Sequence, residues 1–181
     1  MNTYEKILVE TKTEFSDFCI LKKNESSLMK FIDVALKIIT MGQMRIFMTG
    51  FITTLGQVVY VPEDWDIMTM SNKSVIIRHE RVHMRQARKY SRFLFSVLYL
   101  FVPLPGGLSY FRKKFEQEAY EESLKAHYEY HGEKAFTPQL KENIISHFVT
   151  SQYFWMWPFR KNLECWYDKF VVKLLTKEYL K

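Results

Sequence analysis

The chain has 181 residues and a mass of 21.9 kDa, about one domain, and its 48 % apolar content is enough for a substantial core. An aromatic share of 17 % with only 6 glycines and 5 prolines excludes a disordered or low-complexity protein, and two cysteines, Cys19 and Cys165, outside any close Cys/His cluster exclude a cysteine-rich zinc module. A net charge of +6 and a pI near 9.2 favour solubility and weak attraction to anionic partners, without singling out nucleic acid.

Met1 to Lys12 alternates polar and charged residues too densely for a secretion signal, so the cysteines are expected to stay reduced in a cytosolic setting. Ser26-Ser27-Leu28 opens an amphipathic helix: Leu28, Phe31, Ile32, Ala35, Leu36 and Ile39 recur at three- and four-residue spacing, with a serine to cap the start and Gly42 as the stop. Phe47 to Val61 is rich in β-branched residues punctuated by Gly50 and Gly56, and reads as a short hairpin or a pair of strands. Pro62-Glu63-Asp64-Trp65-Asp66 makes a loop, and a helix follows from near Ser71 or Ser74 to about Tyr90. The longest apolar run, Phe93 to Leu104, falls well short of the roughly 20 residues a bilayer requires and reads as a packed helix or a pocket wall. Pro103-Leu104-Pro105-Gly106-Gly107 reverses the chain into a long charged helix, Tyr110 to His131. Thr137-Pro138 supplies an N-cap and first helical position for a helix towards Ser151, and Pro158 opens the last helix, with Trp166, Phe170, Val171 and Leu174 facing inward. No repeat or linker interrupts the chain, and residues 1–181 read as a single domain of α+β class, mainly helical with a small sheet.

One motif carries chemistry. Arg78-His79-Glu80-Arg81-Val82-His83 contains the H-E-x-x-H spacing, which on a helix puts His79 and His83 on one face, able to direct both imidazoles at one metal ion. Glu80 then stands beside that ion as a carboxylate able to accept a proton from water. The charged helix beyond the reversal contains Glu116-Gln117-Glu118-Ala119-Tyr120, and two antiparallel helices would bring one of its carboxylates to the histidine face. Three protein ligands with a fourth position open is the arrangement of a catalytic rather than a structural zinc.

H-E-x-x-H followed by E-x-x-A on a later helix resembles the gluzincin type of zinc metallopeptidase. The stretch Thr53-Thr54-Leu55-Gly56-Gln57-Val58-Val59-Tyr60-Val61-Pro62, with Trp65, His79 to Gln86 and Glu116 to Tyr120, resembles small metallopeptidase-like proteins encoded by bacteriophages, and Tyr153 to Pro158 fits the same resemblance. The resemblance implies a zincin-like fold, a Zn2+ ion held by His79, His83 and Glu116, and Glu80 as general base. It also implies an edge strand at Ile52 to Tyr60 that receives a peptide or protein substrate; an ordinary core hairpin is the alternative. Many gluzincins carry an acid four residues after the ligand glutamate where this chain has Tyr120, which keeps Glu118 as an alternative ligand. A phage origin implies a place in the host cytoplasm or on the virion, with virion or host proteins as partners.

Other residues keep two readings each. Tyr120 either steadies the Glu116 carboxylate or packs in the core, and Gln86 either supports the histidine face or simply packs. Tyr90, Arg112, His127 and His147 are all available to stabilise an oxyanion. Arg78, Arg81, Arg85 and Arg88 fall roughly opposite the histidines, as a solvated face or a docking surface for acidic protein or nucleic acid. Tyr120 in place of an acid favours a non-enzymatic structural or interaction protein that keeps the fold; the intact Glu80 favours an enzyme.

Overall fold

The computed structural model describes residues 3–42, 45–101, 109–150 and 156–176. The chain divides into two compact units, Met1–Met84 and Arg85–Lys181. The architecture is the expected mainly helical α+β type, with one small sheet in the first unit.

The first unit begins with helix α1 (Thr3–Glu14), strand β1 (Cys19–Lys22) and helix α2 (Ser27–Ile39). A short helical turn α3 (Phe47–Gly50) then leads into the hairpin β2 (Thr53–Leu55) and β3 (Val58–Val61). The hairpin expected over Phe47 to Val61 is present only from Thr53 onward, Phe47–Gly50 being helical instead, and it is closed by a two-residue link in which Gly56 takes φ +64°, a value that glycine adopts without strain. β1 was not anticipated. It pairs parallel to β3 in the register Cys19↔Val58 to Lys22↔Val61, giving the strand order β1-β3-β2 and leaving β2 at the edge.

Alternation along β3 distributes its side chains to two cores. Val59 and Val61 join Ile7, Phe15, Phe18, Trp65, Ile77 and Met84, while Tyr60, on the opposite face, joins Met29 and Phe47. Each of the two buried valines contributes roughly 2 kcal/mol of transfer free energy. Ile77 and Met84, seven residues apart, are the core stripe of helix α4 (Met70–Tyr90). Thr69 starts that helix, its Oγ1 accepting the Asn72 N–H at 3.3 Å.

α4 is continuous through the unit boundary and ends at Ser91, which has φ +65° and whose Oγ accepts the Leu94 N–H to begin helix α5 (Arg92–Ser96). A single π-helical turn, Val97–Phe101, follows. The apolar run is thus helical where it is described, but it is not wholly packed: Phe93 is 80 % exposed. The Pro103–Gly107 reversal and Tyr153 to Trp155 lie outside the described residues. Helix α6 (Tyr110–His131) spans the expected range, and helix α7 (Pro138–Val149) is capped as expected, with Thr137 Oγ1 accepting the Leu140 N–H at 3.1 Å. Helix α8 (Arg160–Leu175) starts two residues after Pro158. Leu124, Ile144, Ile145, Phe148, Leu163, Tyr167 and Leu174 from these three helices form the second unit's core, with Trp166, Phe170 and Val171 against it. Among the described residues no helix is long and apolar enough to cross a membrane.

The end of α2 departs from the expected stop in one respect. The Gly42 N–H reaches the Lys37 carbonyl at 2.7 Å and the Met41 N–H reaches that of Ile38 at 3.2 Å, the paired bonds of a Schellman motif. The left-handed position that motif usually gives to glycine is filled by Met41, at φ +51° and 94 % exposed. Because Met41 carries strain there and packs on nothing, Met41→Gly is expected to raise the unfolding free energy by about 1 kcal/mol in chemical denaturation. An unchanged or lower value would contradict that reading of the cap.

Candidate metal centre

His79 and His83 lie one turn apart on α4, and their Nε2 atoms stand 3.2 Å from each other, with ring centroids 4.9 Å apart and planes at 76°. Two nitrogen ligands of a tetrahedral zinc, each at 2.0–2.1 Å from the ion, are about 3.3 Å apart. The imidazole pair therefore has the spacing of two ligands converging on one point. A hydrogen bond between a neutral donor and acceptor gives a similar distance, so the third group decides the chemistry.

That third group is Glu116 of α6. Ligand atoms of His79, His83 and Glu116 all lie within 4.8 Å of one another, with His83 and Glu116 buried and His79 half-buried. Two imidazoles and a carboxylate form a set that can hold a divalent metal ion. Glu118, the alternative, is turned elsewhere: its Oε2 accepts from Gln86 Nε2 at 2.9 Å. Gln86, buried on α4 one turn after the histidines, also donates to the Phe115 carbonyl at 3.1 Å. Its amide thus holds the α6 backbone immediately before Glu116, a supporting rather than a packing role.

Glu80 is buried on the flank of α4 that turns towards the sheet, and Thr54 of edge strand β2 donates its Oγ1–H to Glu80 Oε2 at 2.7 Å. Behind it lies Lys23, which no sequence motif marks. Only 1 % exposed, its ammonium donates to the Phe47 carbonyl at 2.7 Å and sits 3.7 Å from the centre of the Phe47 ring. Burial pushes Lys23 down to about 8, partly opposed by the negative charges of Glu80 and Asp33.

Tyr120 is directed at α7. Its hydroxyl bonds His147 Nδ1, and its ring packs with Phe148 at 5.6 Å. A hydroxyl that reaches the Glu116 carboxylate, at Oε1, belongs to Tyr99 in the π-helical turn. Of the other groups available for an oxyanion, His147 is engaged by Tyr120, the Tyr90 ring meets that of Phe115 at a tilt with centres 5.4 Å apart, and Arg112 lies over the Tyr99 ring at 5.1 Å. Burial, with His131 nearby, pushes His127 below the usual histidine range. The arginine stripe is in part structural: the side chain of Arg81 is mostly buried and pairs with Glu10 of α1 at 3.3 Å. Arg85 and Arg88 are exposed.

Lys23 gives a pH signature for the ground behind Glu80. Its folded pKa lies below its unfolded value of 10.5, so between about pH 8 and 10.5 the unfolded chain holds a proton that the folded chain has lost. Stability from this group therefore rises with pH across that window. The unfolding free energy of the wild type minus that of Lys23→Met should climb by about 1.4 kcal/mol per pH unit there. A flat difference would mean that Lys23 is not buried as described.

Comparison of the chain with protein-family models, with curated proteins and with solved structures finds no match to any of them.

Proposed function

We propose that the chain is a zinc-dependent peptidase or amide hydrolase, with His79, His83 and Glu116 holding the ion and Glu80 as general base. The observation that carries this reading is the convergence of the three ligand atoms within 4.8 Å, next to a buried glutamate one residue after the first histidine. Zinc, when bound, lowers the pKa of water and polarises a carbonyl.

The remaining work falls to side chains of the protein. Thr54 fixes one oxygen of Glu80 by its 2.7 Å hydrogen bond, and the other, Oε1, is the atom to which we assign the proton of the attacking water. Glu80 then returns that proton to the leaving nitrogen. Thr54 also ties the base to β2, one of the two edge strands, so an extended peptide adding to that edge would run alongside Glu80. A peptide or protein is accordingly the substrate class, with an amide of cell-wall peptide open to the same constellation. We place the protein in the host cytoplasm or with the virion, where the exposed free thiols of Cys19 and Cys165 suit a reducing setting.

Glu80→Gln tests the assignment. With the zinc content unchanged, cleavage of a complex peptide mixture should fall by about 10²–10⁴-fold relative to wild type. Equal cleavage by the variant would remove Glu80 as base. A zinc-loaded wild type that cleaves nothing in the mixture would instead favour the non-enzymatic structural or interaction protein.

A further inference from the structure

Glu116 is held at two points, and one of them was not foreseen. Gln86 grips the backbone before it through the Phe115 carbonyl, and the Tyr99 hydroxyl donates to its Oε1. Tyr99 stands in the π-helical turn Val97–Phe101, where the widened turn shifts side-chain direction, a device concentrated at functional sites. Its ring is braced rather than loose. Phe95 lies 5.5 Å away on one side and the Arg112 guanidinium 5.1 Å over its face, while Phe95 in turn packs on Phe115 at 5.1 Å.

A carboxylate can bind a metal through one oxygen or through both. Binding through both adds a ligand atom and fills the position a catalytic zinc keeps open. A phenol donating to Oε1 competes with a metal ion for that oxygen and so favours binding through Oε2 alone. We propose that Tyr99 is a positioning residue that makes Glu116 a one-oxygen ligand and so keeps a coordination position free. This role rests on the metal-centre reading above. Tyr120 is the control, its hydroxyl being bonded to His147.

The test uses the full chain with cobalt(II) in place of zinc, comparing wild type with Tyr99→Phe and Tyr120→Phe. Phenylalanine keeps the ring that packs on Phe95 and removes only the oxygen, and matching circular dichroism checks the fold. Wild type should give the intense visible bands of four-coordinate cobalt. Tyr99→Phe should give weaker bands of higher coordination and bind zinc about 10- to 100-fold differently; Tyr120→Phe should match wild type. X-ray absorption of the wild-type zinc form, needing no variant, should show four ligand atoms. Identical spectra and affinities in wild type and Tyr99→Phe would overturn the role, as would five or more ligand atoms in wild type. A phenolate-to-copper charge-transfer band in the copper(II) wild type, lost in Tyr99→Phe, would overturn it by making Tyr99 a ligand. A wild type that takes up no metal would overturn the metal centre and this role with it.

Discussion

The side-chain amide of Gln86 ties the end of α4 to α6 beside Glu116. Its nitrogen donates at 3.1 Å to the Phe115 carbonyl and at 2.9 Å to Glu118, from a fully packed position on α4. A buried amide that lost these acceptors would leave its donors unsatisfied at a cost of about 1–3 kcal/mol. The last turn of α4 is thereby fixed against α6 just before Glu116, and His79 and His83 belong to the same helix. Helical periodicity does the rest: two imidazoles on one face, and Glu80 rotated from them towards the strand that holds Thr54.

The carboxylates of the region are treated in three different ways, and the difference follows from their partners. Glu116 receives a phenol, Glu118 an amide and Glu80 a threonine hydroxyl. Behind Glu80, the ammonium of Lys23 is enclosed by a carbonyl and an aromatic face, and Glu80 and Asp33 oppose in part the downward pull of burial on its pKa. Charges in the interior are thus few, specific and mutually dependent, whereas Arg160 with Glu142 and Glu164, or Lys22 with Asp66, are surface pairs of small energetic weight.

What was readable beforehand was local. The α4 and α6 boundaries, the Thr137 cap and the Val58–Val61 hairpin strand all follow from periodicity and turn chemistry within a few residues, as does the shared face of His79 and His83. Glu116 was reached through a resemblance, and the ligand atoms do converge. The rest depends on non-local pairing. β1 is four residues long and takes its place only by pairing with β3, far along the chain. Tyr99 looks like one more aromatic in an apolar run, since nothing in its neighbours announces a π turn or a bond to a carboxylate 17 positions later. Lys23 follows the half-buried Lys22 at the end of β1, and its own ammonium is covered by Phe47. Tyr120 was assigned two roles by sequence, and only the position of His147 on α7 separates them.

Metal stoichiometry is the most direct measurement. Elemental mass spectrometry of the purified wild type, without added zinc, should find about one tightly held zinc per chain, and His83→Ala, prepared in parallel, should hold none. A wild type free of metal, and still free after zinc is offered, would contradict the centre. The 3.2 Å between His79 and His83 would then be a hydrogen bond between two imidazoles on a helix face.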